Sequence, residues 1–243
     1  LHKAIRRQRQ MCIRDSVNAH SKELNMRTVV IGSGSWGTAL AQVLQDNHQE
    51  VLVYGVAEAE VNDINENHKN SKYFGDVELN PELKATTDIQ CVKGADIVLL
   101  AVPTIAIDPI CHQINDILDK KTIIINVSKG FHPETNERMS EVIRRCIDED
   151  KLSSVVSLIG PSHAEEVVIR LLTTIDAISL NNEDAVTVQN IFSNQYLRIY
   201  TGNDEIGSEL GVAIKNVMAI ASGILSGLGY QDNTCLLYTS PSP

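Results

Sequence analysis

The stretch VVIGSGSWGTALA, residues 29 to 41, constrains the fold of this chain more than any other. A buried-strand run, RTVVIG, passes without a gap into G-x-G-x-x-G at Gly32, Gly34 and Gly37, and a helical pattern, WGTALAQVLQDN, follows at once. A lone G-x-G-x-x-G says little, but between a strand and a helix it is a dinucleotide-binding fingerprint. Each glycine has its own reason. Gly32 permits a tight turn, Gly34 lets the backbone approach a pyrophosphate, and Gly37 lets helix and strand pack closely. The N-terminus of the helix then offers unpaired N–H groups and the positive end of its dipole to phosphate. The plain alternative, a glycine-rich turn with no ligand, explains the composition but not this placement.

The rest of the chain repeats the alternation. EVLVYG, ADIVLLAVP, KTIIINVS, SVVSLIG, TTIDAISL and LRIYT read as strands. AEAEVNDINENH, AIDPICHQINDIL, NERMSEVIRRCI and NEDAVTVQNIF read as helices between them. Strands alternating with helices indicate βαβ units and a parallel sheet. The expected fold is α/β, a Rossmann-type doubly wound, mostly parallel sheet followed by the start of an all-helical C-terminal domain. Strand signals stop after Thr201, and residues 203 to 228 read as one long helix. The expected division is a dinucleotide-binding domain over 26–201 and the start of a helical substrate domain over 202–234.

Both ends look foreign to this pattern. LHKAIRRQRQMCIRDS has four arginines and no apolar period, and it admits a reading as an organelle-targeting segment. MCIRDS at the front and CLLYTSPSP at the back resemble translated sequencing-adapter scars. The native chain is therefore expected to start at Met26 and to stop near Thr234, with 1–25 and 235–243 non-native.

Charge and composition exclude several classes. With 21 basic and 31 acidic side chains the formal net charge is −10, so no basic footprint for nucleic acid is present. The five cysteines are far apart, without a Cys-x-x-Cys pair, and the seven histidines show no metal-site spacing. A reduced, cytoplasmic setting is expected. No apolar run reaches the ~20 residues of a membrane span.

The glycine fingerprint usually has an acidic residue about 20 positions on, where the ribose hydroxyls of NAD bind. Here the second strand ends at VYGV, and Val56 stands at that point with neither acid nor arginine. Glu58 reads as an exposed residue of a first helical turn. The choice between NAD and NADP stays open.

Two lysines attract attention. Lys129, in IIINVSKG, lies just past the C-terminal end of a strand, where open parallel sheets bind ligands. Lys215 sits inside GVAIKNVMAIASGI, an apolar helix. Its neighbours on the same face, Ser208, Gly211, Val212, Met218, Ala219 and Ser222, are mostly small and form a shallow trough. A lysine there either lays its stem on apolar surface and reaches water, or serves a site. The helix is apolar on most faces, through Leu210, Ile214, Val217, Ile220 and Leu225, and needs partners on several sides. In LIGPSHAEEV, Gly160 and Pro161 make a turn, and Ser162 with Glu165 has capping-box spacing for a helix starting near His163.

GSGSWGTALA, ENHKNSKYF, LKATTDI, IVLLAVPT, SKG, GPSHAEEV, IGSELGVAIKNVMAIASGI and GLGYQDNT occur in this order. Together they resemble the NAD(P)-dependent glycerol-3-phosphate dehydrogenases of the bacterial type, over Met26 to Thr234. The resemblance implies hydride transfer between NAD or NADP and C2 of a three-carbon phosphate, interconverting glycerol 3-phosphate and dihydroxyacetone phosphate and supplying phospholipid synthesis. It implies that Gly32, Gly34, Ser35, Trp36, Gly37, Val56, Lys129 and Ala164 meet the cofactor. It places Lys129, Gly160, Ser162 and Asn216 at a small phosphate substrate, and makes Lys215 the proton acceptor. Burial, and a second cation such as Lys129, would bring the Lys215 pKa toward neutrality. No metal, nucleic acid or membrane partner is expected from the charge, the residue spacing and the apolar runs, and a homodimer is open at full length.

The chain also departs from the family pattern. Val56 replaces a basic residue, Gln231 replaces a glycine, and a proline before Thr173-Thr174 is missing. The family continues past Thr234 with an aspartate and a Ser-Arg-Asn group that complete the phosphate site. Two other readings remain: a related β-hydroxyacid dehydrogenase acting on a carboxylate, and a cofactor-binding fragment without turnover.

Overall fold

A computed structural model describes residues 25–229. The expectations for residues 1–24, and for everything from 230 on, including Gln231, Thr234 and the tail 235–243, lie outside the described residues.

The six strands that follow the glycine-loop strand pattern are β1 (Thr28–Ile31), β2 (Val51–Tyr54), β3 (Lys84–Thr86), β4 (Ile97–Leu100), β5 (Thr122–Asn126) and β6 (Leu152–Ile159). All six are mutually parallel, and β7 (Thr173–Ile178) and β8 (Leu197–Gly202) complete one sheet in the order β3-β2-β1-β4-β5-β6-β7-β8. The central strands are buried on both faces, which is why they read as unbroken apolar runs. Successive residues alternate between two cores. Val30, Ile97, Leu99, Ile123 and Ile125 face one, while Val29, Ile31, Val98, Leu100 and Ile124 face the other.

Helices cover both faces. On the first lie α1 (Ser35–Asp46), α6 (Ala164–Val168) and α7 (Asn182–Phe192); on the second lie α4 (Thr104–Asn115) and α5 (Met139–Cys146). The remaining helices are α2 (Glu58–Asn62), which runs on into a π turn over Asp63–Asn67, α3 (Ser71–Phe74) and α8 (Glu205–Gly227). Local chemistry explains several boundaries. Asn181 caps α7 by accepting from the N–H groups of Glu183 and Asp184, and Asp204 caps α8 by accepting from Gly207.

Three features go beyond or against the sequence expectation, which had the sheet mostly parallel without saying which strand departs. The edge strand β3 and the short helix α3 were not anticipated, because three or four residues carry no readable period. Strand β7 runs antiparallel to β6, with β8 parallel to β7. The cause is the connection after β6. Helix α6 has five residues and rises only ~7.5 Å, too little to carry the chain back along the sheet, so it re-enters from the same edge. Helix α7, with 11 residues, is long enough to restore a parallel crossover.

The third difference concerns apolar length. Helix α8, 23 residues long, is by length and composition alone apolar enough to cross a membrane, against the expectation that no run qualifies. Its first turns nevertheless belong to the folded domain. Glu205 and Glu209 are buried and bound by Arg138, Arg144 and Ser140. Beyond them Leu210, Ile214, Val217, Ile220 and Ile224 are exposed.

Candidate active site

Because β1, β4, β5 and β6 are parallel neighbours, the segments after them emerge along one edge of the sheet. These are the glycine loop, the Ala101–Pro103 segment, the Lys129 loop and the Gly160–His163 turn. The edge is tied together internally: Ser128 Oγ donates to the Val102 carbonyl at 2.5 Å.

The glycine loop has the shape of a cradle. Gly32 sits at φ +117°, where a side chain is strained, and a Cβ there would run into the Ala101 carbonyl. A Cβ on Gly37 would strike the Gly32 carbonyl, so this glycine serves the packing of α1 on β1. Gly34 is different. Nothing lies within 4 Å of its Cβ position, so the loop presents open backbone where a pyrophosphate would approach. Gly34 is also the N-cap of α1 and supplies no side-chain cap, leaving first-turn N–H groups for a ligand. Beneath the loop, the buried Asn70 donates to the Ser33 carbonyl at 2.8 Å and to Thr38 Oγ1 at 2.9 Å. The residues present therefore fit a dinucleotide.

Lys129 lies at this edge, within electrostatic reach of Lys215 on α8. The Lys129 ammonium lies 5.8 Å from the centre of the Trp36 ring, which links the end of β5 to the glycine loop. Partial desolvation, and then the charge of Lys215, hold Lys129 below the ordinary lysine pKa. The expectation that Lys215 is buried is corrected. It is exposed on α8, because among the described residues no element packs over that part of the helix. Asn216 follows it in α8, and its side chain lies outside the described residues.

Ser162 is also corrected. Helix α6 starts at Ala164 with His163 as N-cap, and no side-chain cap forms. The Ser162 N–H instead closes a tight turn on the Gly160 carbonyl at 3.0 Å. This leaves Ser162 Oγ buried and without a hydrogen-bond partner among the described residues, as is Trp36 Nε1. Buried polar atoms of this kind ask for a partner. Gly160 packs against Ile175, with no room for a Cβ, and Ala164 is buried at the start of α6. Ser35 opens α1 and is half-buried. Val56, at the end of β2, is 84% exposed and contributes no charge.

Sequence reasoning missed two groups. Glu60, on α2, is buried against the glycine loop: Ser33 Oγ donates to it at 2.5 Å and Lys72 at 2.6 Å. The second is the ion cluster at the start of α8. Arg144 and Arg138 bind Glu205, and Glu209 accepts from the Ser140 N–H at 3.1 Å, so the helix that carries Lys215 is docked on α5. The i, i+4 spacing of two glutamates in an apolar helix was the available signal. Elsewhere the fold brings Asp108, His112 and Cys146 within 4.8 Å of one another, a grouping the scattered spacing had not suggested. The Asp108 carboxylate already accepts from Arg145 at 2.8 Å.

Comparison with known proteins agrees with this geometry. The family model for the NAD-dependent glycerol-3-phosphate dehydrogenase N-terminus matches residues 27–186, and that for the C-terminus matches 204–240. A glycerol-3-phosphate dehydrogenase [NAD(P)+] of Listeria innocua is 48% identical over 208 residues, covering 85% of this chain and 62% of the relative. The enzyme of the same name from Macrococcus caseolyticus is 47% identical, covering 86% of this chain and 63% of the relative. The chain thus spans less than two thirds of the length of these relatives. The crystal structure of glycerol-3-phosphate dehydrogenase from Coxiella burnetii superimposes with a TM-score of 0.78 at 28% identity, covering 88% of this chain and 65% of that one. Sheet, cradle and family models converge: the chain belongs to the NAD-dependent glycerol-3-phosphate dehydrogenase family.

Proposed function

We propose that this chain carries the dinucleotide site and the proton-transfer lysine of an enzyme that interconverts sn-glycerol 3-phosphate and dihydroxyacetone phosphate. The observation that carries the reading is the Lys129 ammonium over the Trp36 ring of the glycine loop, near enough to Lys215 for the charge of that lysine to lower its pKa. A solvated loop lysine has no reason to sit at a nucleotide cradle within reach of a second cation. A site for an anionic substrate beside a hydride acceptor gives it one.

NAD or NADP, bound along the loop, supplies the hydride acceptor. The chain's own residues do the rest. The open backbone at Gly34 and the N-terminus of α1 hold the pyrophosphate. Lys129, at the strand end, offers charge both to the cofactor and to the substrate phosphate. The unpartnered Ser162 hydroxyl orients a substrate oxygen. Lys215, in its neutral form, takes the alcohol proton at Nζ as the hydride departs from C2, and in the reducing direction its ammonium returns that proton. A lysine serves as base near neutral pH only when its ammonium is destabilised, as burial does. Cover over the exposed apolar residues around Lys215, in a protein of the relatives' full length, would add desolvation.

Family membership supports a cytoplasmic setting and a supply of glycerol phosphate to phospholipid synthesis. The decisive assay is glycerol-3-phosphate-dependent reduction of NAD(P)+ by a protein of the relatives' full length carrying these residues. Lys215→Ala is expected to lower kcat by ~10²–10⁴-fold with cofactor affinity nearly unchanged. A variant that keeps most of its kcat would remove Lys215 from the mechanism.

A further inference from the structure

The ribose side of the cradle contains a pair that the fingerprint does not predict. The position at the end of β2 that normally reads the ribose holds the exposed, uncharged Val56. A charged group that does contact the loop is Glu60, in the first turn of α2. Its Oε2 accepts from Ser33, the residue between Gly32 and Gly34, at 2.5 Å. Its Oε1 accepts from Lys72 of α3 at 2.6 Å. The environments of the partners differ sharply. The Glu60 side chain is 10% exposed, that of Lys72 63%. Burial pushes the Glu60 carboxyl up, but the bonds from Lys72 and Ser33 outweigh it and hold the group ionised below the usual carboxylate range.

Resting on the reading of this loop as a dinucleotide cradle, we propose that Glu60 and Lys72 form the selectivity element of the ribose subsite, favouring the free 2′-hydroxyl of NAD over the 2′-phosphate of NADP. The 2′-phosphate brings a charge of about −1.5 to −2. Among the described residues, Lys72 is the cation bonded to a group that contacts the loop, while Lys69 is engaged by Asp76 and Val56 offers no charge. Engaging Lys72 would pull it from Glu60 and strand a buried carboxylate beside an incoming anion, which is unfavourable twice over. The unphosphorylated ribose makes no such demand. Each Glu60 oxygen keeps an acceptor site beyond the bond it already makes, so a ribose hydroxyl can donate to it while Lys72 stays in place. Glu60 thus acts both as an acceptor and as a lock on the Lys72 ammonium.

The test is a set of dissociation constants for NADH and NADPH, measured side by side at one ionic strength on the 243-residue chain and on Glu60→Gln, Lys72→Met and the double variant. The wild type should bind NADH more tightly. Glu60→Gln frees Lys72, so NADPH should tighten by about tenfold, the scale of one charge-assisted hydrogen bond. NADH should weaken by about fivefold, because the ribose hydroxyl then donates to a neutral amide oxygen instead of a carboxylate, so the preference for NADH falls on both counts. The double variant should lose the NADPH gain, which identifies Lys72 as its source. Lys72 is exposed, so Lys72→Met tests the idea even if Glu60→Gln does not fold; it should leave NADPH no tighter than in the wild type. A wild-type preference for NADPH that Lys72→Met abolishes would overturn the proposal. An unchanged NADH-to-NADPH ratio in folded Glu60→Gln would overturn it too. Failure of the folded wild type to bind either nucleotide is a separate outcome, and it would overturn the cradle reading together with the proposal.

Discussion

Lys215, on α8, presses its charge on Lys129 at the end of β5, and together with partial desolvation this holds Lys129 below the ordinary lysine pKa. The relationship joins two elements that the sequence separates widely, and it has a direct consequence. Lys215→Ala removes the charge but not the desolvation. The Lys129 pKa should therefore rise partway toward its ordinary value and stop short of it. The pH dependence of reductive methylation at Lys129, read by mass spectrometry, reports this. An unchanged profile would mean that the two ammonium groups do not interact in solution.

The three glycines of the loop should separate by role. Gly34 has open space at its Cβ position and extended backbone at φ −68° and ψ 179°, which any residue can adopt. Gly34→Val is thus expected to keep the melting temperature within a few degrees, as for a surface change of about ±0.5 kcal/mol. Gly32→Ala meets both a strained φ and the Ala101 carbonyl, and should destabilise by about 1–3 kcal/mol. Thermal unfolding followed by circular dichroism distinguishes them. Equal losses would show that Gly34 is structural as well.

The α8 cluster predicts an acid-sensitive docking. Burial raises the Glu205 carboxyl, but hydrogen bonds and charge from Arg144 outweigh this and lower its pKa in the folded state. A carboxylate with a depressed folded pKa contributes stability that is full above the ordinary value of about 4.3 and is lost as pH falls through the folded value. Arg144→Met leaves the nearly inaccessible Glu205 with less compensation, and should destabilise by about 2–4 kcal/mol at neutral pH. Its acid loss should also begin at a higher pH. Urea midpoints from pH 3 to 7 test both. A variant as stable as the wild type at pH 7 would show the cluster to be energetically idle.

Much of this was legible in the sequence because the signals are local. The glycine loop, the apolar strands and the helix over 182–192 follow from spacing and turn chemistry within a few residues. What was not legible depends on distant partners. Glu60 and Lys72 lie on separate short helices, and only the fold sets the Glu60 carboxylate between Ser33 and the Lys72 ammonium. The direction of β7 depends on how far five residues of α6 can travel. Ser162 has capping-box spacing, yet the helix begins beyond its reach, since the Gly160 turn takes up the intervening residues. The apolar flanks of Lys215 suggested burial, but flanking sequence cannot say whether anything packs on them.

The central claim, that the glycine loop is a working dinucleotide cradle, has a built-in reporter. Trp36 is the only tryptophan in the chain, and it stands inside the loop motif with its ring beside Lys129. Titrating the purified chain with NADH, while following energy transfer from Trp36 to the bound nicotinamide, tests the claim most directly. The expected result is a saturable signal, reversed by excess NAD and lost in folded Gly34→Val. A folded wild-type chain with no saturable signal, or a Gly34→Val variant that binds as the wild type does, would contradict it.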